Sequence, residues 1–159
     1  MKIGITGTPG VGKTAVSLEL AKYYKLSALN EKEFALSKGI GEFDAQENEL
    51  VVPLPKLERA LNKEKSGIFE GHLLCEIKAD FDYLVLLRCH PELLETRLEA
   101  RGYKAEKVQD NVFCEGIEYC KKHALRNYAR GKIIEIESRK SIKETTNAII
   151  NELEKRKQK

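Results

Sequence analysis

The sequence predicts a three-layer α/β/α sandwich in which helices cover both faces of a parallel sheet. Three observations lead there. Runs such as "KIGIT" (residues 2–6) and "FDYLVLLRC" (residues 81–89) are almost continuously apolar, as in strands buried on both faces. They alternate along the chain with stretches of helical periodicity. A glycine-rich loop separates the first run from the first of those stretches.

The elements follow in order. Lys2 to Thr6 reads as a short buried strand bounded by glycine, and "KTAVSLELAKYY" places Val16, Leu20 and Tyr23 or Tyr24 on one helical face. Between Leu29 and Pro55 the pattern turns polar and irregular, rich in acids and broken by Gly39 and Gly41. It is expected to be a mobile insert rather than core. "PLPKLERALNKEK" predicts a helix with a proline start and apolar positions at Leu57, Ala60 and Leu61. "SGIFEG" (residues 66–71) is a compact strand ending in an acid. "HPELLETRLEARG" opens a helix with Pro91 near its first turn, and a short charged interruption and one further helix are expected up to Ala129. "KIIEIES" (residues 132–138) is a late strand. The last helix starts at Ser141, where Ser141 and Glu144 form a capping box. Its stripe is Ile142, Thr146, Ile149, Ile150 and Leu153, and the charged "EKRKQK" end is expected to fray.

With 159 residues, 42% of them hydrophobic and 33% charged, the chain has the balance of one globular domain spanning 1–159. A net charge of +3 excludes a molecule-wide nucleic-acid signal, so any such contact would come from a local patch. No secretory leader and no apolar run of membrane-spanning length is seen, and a cytoplasmic location is expected. Cys75, Cys89, Cys114 and Cys120 include no CxxC pair and read as reduced, mostly buried thiols, so no zinc is expected.

Gly7-Thr8-Pro9-Gly10-Val11-Gly12-Lys13-Thr14 matches GxxxxGK[ST] at each fixed position, after a strand and before a helix. Glycines let backbone N–H groups turn inward around a phosphate at the positive end of the following helix. Lys13 would reach the β- and γ-phosphates, and Thr14 would offer its hydroxyl to Mg2+. The loop therefore predicts a nucleoside triphosphate as ligand and the P-loop NTPase fold as its frame. No [NT]KxD segment follows a late strand, which disfavours a guanine-nucleotide switch, and a helicase or transporter motor would need a longer chain.

Arg97 and Arg101 lie four residues apart, on one helix face, and Gly102, Lys104 and Lys107 follow in a short polar stretch. That pattern suits a closing flap whose cations arrive over a transferring phosphoryl group. A solvated charged face is the bland alternative.

"GTPGVGKT", "ETRLEARGYKAEKVQDNVFCE" and "FEGH" together resemble the atypical adenylate kinases of archaea and eukaryotes, whose members also assemble the small ribosomal subunit. The resemblance spans nearly the whole chain, and its RGY…K…DN segment is the most specific part. It implies that Gly10, Gly12, Lys13, Thr14 and Ala15 hold the ATP phosphates, that residues of about 30–53 form the monophosphate-binding segment, and that about 100–110 form the lid. It further implies that Arg101 contacts ATP from the lid and that Lys140 lines the adenine pocket. The family's Asp-x-His appears here as Glu70-Gly71-His72. Glu70 would hold Mg2+ through a water, with a longer side chain than the family's, and His72 would orient an attacking water, a neighbouring loop, or only its own surroundings. His90 and His123 read as structural or surface residues. A DGFPR-type AMP grip is missing, so weak or broad monophosphate selectivity is expected. Asp44, Glu47 and Glu49 would repel a phosphate if they faced inward, and Arg59 and Arg88 are alternative phosphate anchors.

The resemblance thus implies a kinase converting ATP and AMP to two ADP, with Lys13, Arg97 and Arg101 stabilising the moving phosphoryl group. It also implies an ATPase that acts in late small-subunit rRNA maturation, with the eleventh protein of the universal small-subunit set as partner. Two alternatives stand beside it: a small-metabolite kinase of the shikimate kinase type, and an ATPase switch without kinase activity.

Overall fold

The computed structural model describes residues 1–138 and 141–158, so Lys140 lies outside the described residues. In chain order the elements are β1 (Lys2–Thr6), α1 (Lys13–Tyr24), β2 (Ala28–Asn30), α2 (Glu31–Ser37), β3 (Glu42–Asp44), β4 (Glu49–Val51), α3 (Leu54–Lys63) and β5 (Gly67–Glu70). They continue with β6 (Tyr83–Arg88), α4 (Pro91–Ala100), α5 (Ala105–Gly116), α6 (Tyr119–Asn127), β7 (Ile133–Glu137) and α7 (Ile142–Lys157). Short 3-10 turns precede β6 and β7.

Five strands pair in parallel in the order β2-β5-β1-β6-β7, with β1 at the centre. Strand side chains alternate between faces. Ile3, Ile5, Ile68, Val85, Leu87 and Ile134 pack on one side against α1, α4, α5 and α7. Phe69, Leu84 and Leu86 pack on the other with Phe34 of α2, Leu57 and Leu61 of α3, Ala124 of α6, and Phe81. The three-layer sandwich is therefore observed, with a separate antiparallel hairpin, β3–β4, between α2 and α3.

Several expectations are corrected. The stretch taken as insert rather than core buries Phe34, Ala35 and Val52, and the Phe34 ring meets Phe69 edge-on at 5.3 Å between centroids. Only two adjacent apolar residues carry the inner side of α2, too short a signal for periodicity to register. The chain after Arg101 forms two helices, divided where Glu118 takes φ 59, and the proposed flap loses its C-terminal half to α5, whose Val108 is buried. Tyr24 packs against the core and Tyr23 is exposed; on α7, Ile142 is exposed while Thr145 joins the buried face. The charged tail does not fray at residue 154. Arg156 pairs with Glu152, Lys157 pairs with Glu154, and Glu154 also accepts from the Tyr24 hydroxyl, which holds the helix to Lys157. The capping box is present, with Ser141 Oγ accepting from the Glu144 N–H.

Candidate active site

The loop over residues 7–12 leaves β1 at the C-terminal edge of the sheet and enters α1. Gly10 has φ 95, and a Cβ there would stand 2.8 Å from Leu98 and 2.9 Å from Leu94, so α4 rests directly on the loop. Gly12, at φ 104, caps α1 with no side-chain bond, and no acid stands in the first turn. The orphan N–H groups of that turn, which includes Thr14 and Ala15, are left for an anion.

Lys13 is buried, and its Nζ donates to the carbonyls of Gly7 at 2.8 Å and Thr8 at 3.1 Å. Burial pushes its pKa down, against the pull of the Glu70 and Glu31 carboxylates. A phosphate placed here supplies the negative charge that two carbonyls lack.

Glu70 ends β5 and is also buried. Its Oε1 accepts from Thr14 Oγ1 and from Asn30 Nδ2, each at 2.9 Å. The Thr14 hydroxyl and the Glu70 carboxylate are hard oxygen donors that fit a hard divalent cation, while Asn30 turns its amide nitrogen to Glu70 and its oxygen to the Lys32 N–H.

Behind this group lies a second carboxylate that sequence reasoning missed. Glu31, 2% exposed, accepts from the Leu73 N–H at 2.9 Å and stands 3.2 Å from His72 Nδ1. That separation is one an ion pair would show, yet burial pushes His72 down to about 4, so its imidazole is neutral near neutral pH, while burial pushes Glu31 up to about 7, where its charged and neutral forms coexist. The contact is then the close approach of a neutral imidazole to a half-titrated carboxyl, not an ion pair. Gly71 is required between them: a Cβ at that position would lie 1.9 Å from Glu31 Oε2.

Arg97 lies against the loop, with Nη1 donating to Ser138 Oγ at 3.1 Å and, at 3.4 Å, to the Val11 carbonyl. Arg101 caps α4 and is exposed, its guanidinium bound to no other described residue. The two arginines share a helix face without sharing surroundings. Arg88 is corrected as a phosphate anchor: Glu115 at 2.7 Å, Glu118 at 3.2 Å and Glu135 at 3.5 Å already occupy it. Glu115, also missed, accepts from Thr8 Oγ1 at 2.6 Å and from the Cys89 N–H at 3.1 Å, which ties α5 to the loop. Asp44 does not confront a ligand, because its Oδ1 accepts from the N–H groups of Gln46 and Glu47 in the hairpin turn; Glu47 and Glu49 are exposed. Arg59 sits on the outer side of α3, remote from the loop (see below). His90 caps α4 through Nδ1, and His123 stacks on Tyr119 at 4.2 Å.

Lys13, Thr14, Glu70, Gly10 and Gly12 thus meet at one edge of the sheet, with His72 behind them and Arg97 beside them. Asn30 carried a usable signal. An Asn followed three residues later by Glu33 marks a helix start, and its side chain does cap α2 by accepting from the Lys32 N–H. Glu31 and Glu115 carried none.

An AAA domain family matches residues 3–118. A protein of Thermococcus kodakarensis named "Putative adenylate kinase" is 37% identical over 155 residues, covering 95% of this chain and 84% of that one. Among solved structures, the deoxyadenosine kinase of M. mycoides with bound dATP superimposes with a TM-score of 0.64 at 17% identity, covering 97% of this chain and all of that one. The shikimate kinase of Bacteroides thetaiotaomicron gives 0.62 at 18% identity, covering 97% and 98%. At those identities the structural likeness speaks for the fold.

Proposed function

The chain belongs to the AAA domain family and to the family of its archaeal adenylate kinase relatives, and from that premise we propose that it is a nucleoside monophosphate kinase converting ATP and AMP to two ADP. The observation that carries the proposal is the pair of hydrogen bonds that Glu70 Oε1 accepts. Thr14 reaches it from the phosphate-binding helix and Asn30 from the segment proposed to hold the acceptor, so one carboxylate registers both substrate sides.

The reaction is an in-line displacement. An oxygen of the acceptor's phosphate forms a bond to the γ-phosphorus as the bond to the β-bridging oxygen breaks, and ADP departs. The attacking oxygen is already anionic at neutral pH, so no general base is needed. Lys13 leaves its loop carbonyls for the β- and γ-oxygens, and the N–H groups of α1 receive the remaining charge. Thr14 and Glu70 would hold Mg2+, which would supply positive charge to offset that of the triphosphate. Arg97 stiffens the loop through Val11 and Ser138, while Arg101 is free to swing in from the 101–104 turn and exclude water.

A second activity, ATP hydrolysis, is favoured by one specific contact. Neutral His72, with Nδ1 3.2 Å from Glu31, keeps a ring nitrogen able to orient a water. Work in small-subunit maturation, with its ribosomal partner, rests on the family resemblance and is tested by co-purification with that protein.

ADP formation from Mg·ATP, with and without AMP and other monophosphates, tests the reading. A large increase with AMP supports the kinase, whereas turnover indifferent to every monophosphate leaves only the ATPase. Phosphorylation of shikimate or a similar metabolite in place of a nucleotide overturns both.

A further inference from the structure

The outer side of α3 carries charge that works against the helix. Lys56, Arg59 and Lys63 follow one another at spacings of three and four residues and so share a face, opposite the buried Leu57 and Leu61. Like charges at these spacings repel. Lys56 also stands in the first turn, at the positive end of the helix dipole, where no acid offsets it. None of the three side chains has an ion-pair or hydrogen-bond partner among the described residues.

These cations converge on a cleft of about 400 Å3, whose opposite wall is the end of α2 with Lys38. The cleft's one acid among the described residues, Glu64, is already paired with Lys38 at 2.8 Å. Four cations and one acid leave a formal charge of +3 around one concave volume.

The cleft lies away from the phosphate loop. The carbonyls of Leu61 and Glu64 accept from Lys2 Nζ, which fixes the end of α3 at the N-terminal end of β1. The loop leaves the opposite end of the same strand, about 16 Å further on at 3.3 Å per residue.

We propose that this cleft is a second anion site, taking a compact ligand with two or more linked phosphoryl groups. Lys56 to Lys63 covers about 10 Å along the helix axis, long enough to face more than one phosphoryl group, and Lys38 closes the site from the far wall. A nucleic-acid backbone distributes its charge along an extended strip, whereas these side chains enclose one volume.

The test is a backbone amide NMR titration of the full chain with inorganic tripolyphosphate at constant ionic strength. Saturable shifts are expected at residues 38–40 and 56–64, separate from any shifts at residues 8–15. In Arg59→Glu/Lys63→Glu, apparent affinity at the first group falls at least tenfold while the second group is unchanged. The milder Arg59→Gln/Lys63→Gln pair gives a smaller loss in the same direction and guards against misfolding of the first. Shifts confined to residues 8–15 overturn the proposal. So does an equal response to chloride, and so does a single-stranded oligonucleotide that outcompetes tripolyphosphate at matched phosphate concentration. Because the readout is binding at named amides, it stands or falls independently of kinase activity.

Discussion

The phosphate loop and the α2 segment face each other across Glu70, and they are built on different principles. In the loop the working groups are mostly backbone: N–H groups held by Gly10 and Gly12 at positive φ, with one lysine threaded between. In α2 they are side chains: Asn30 on Glu70, Glu31 on His72, and Phe34 driven into the core. A backbone device needs glycines at fixed spacing and so leaves a motif. A side-chain device needs only that scattered residues meet in space, and it leaves almost none.

Lys13→Ala probes the comparison at its strongest point. Loss of the phosphate contact is expected to lower ADP formation by about 10^3-fold. The nucleotide-free protein should melt no lower than wild type, since the removed ammonium is buried with hydrogen bonds to two carbonyls only, and its burial outweighs the pull of the Glu70 and Glu31 carboxylates. A large fall in melting temperature would show that Lys13 is a structural residue first.

Phe34→Ala asks whether α2 is core. A fully buried aromatic in edge contact with Phe69 is expected to cost about 3–5 kcal/mol in denaturant unfolding. A loss below about 0.5 kcal/mol would return the segment to the status of a loose insert.

Glu31 sharpens the contrast through pH. Its carboxyl is raised from 4.5 to about 7 in the folded chain, so between those values the folded state binds more protons than the unfolded state. Its contribution is complete below pH 4.5 and is lost as pH rises through 7. Without nucleotide and magnesium, the stability of Glu31→Gln relative to wild type should therefore climb by about 3 kcal/mol between pH 4.5 and pH 7.5. His72, lowered to about 4, acts in the opposite sense in wild type. A flat difference would mean that Glu31 stays ionised in the fold.

Arg101→Ala is expected to change unfolding free energy by less than about 0.5 kcal/mol, because the side chain is exposed and unbonded, while lowering turnover. Arg97→Ala should lower both, having lost Val11 and Ser138 as partners. Equal stability effects would erase the distinction between a loop brace and a lid cation.

What could be read from the sequence follows the same division. β1, β5 and β6 were visible because burial on both faces makes a run nearly continuous in apolar residues, and β7, at the sheet edge with Glu135 and Glu137 exposed, was visible from its isoleucines. β2 has three half-buried residues at the sheet edge and showed no such run. The phosphate loop and the capping box of α7 were legible because capping and phosphate binding constrain neighbours in sequence. Glu31, Glu115 and Ser138 act on partners 41, 107 and 41 residues away, respectively, and nothing local distinguishes them from surface residues. Arg88 misled for the same reason, its three carboxylate partners lying 27 to 47 residues downstream.

The close approach of Glu31 to Gly71 bears on how this sequence can vary. The carboxylate occupies the space of a residue-71 Cβ, so the two positions behave as one locus. In a combinatorial library, alanine at 71 should survive only beside a small residue at 31, and reverting residue 31 alone in that pair should be worse than keeping both changes. Substitution scans that treat each position separately would score residue 71 as immutable, although its constraint originates forty positions earlier in the chain.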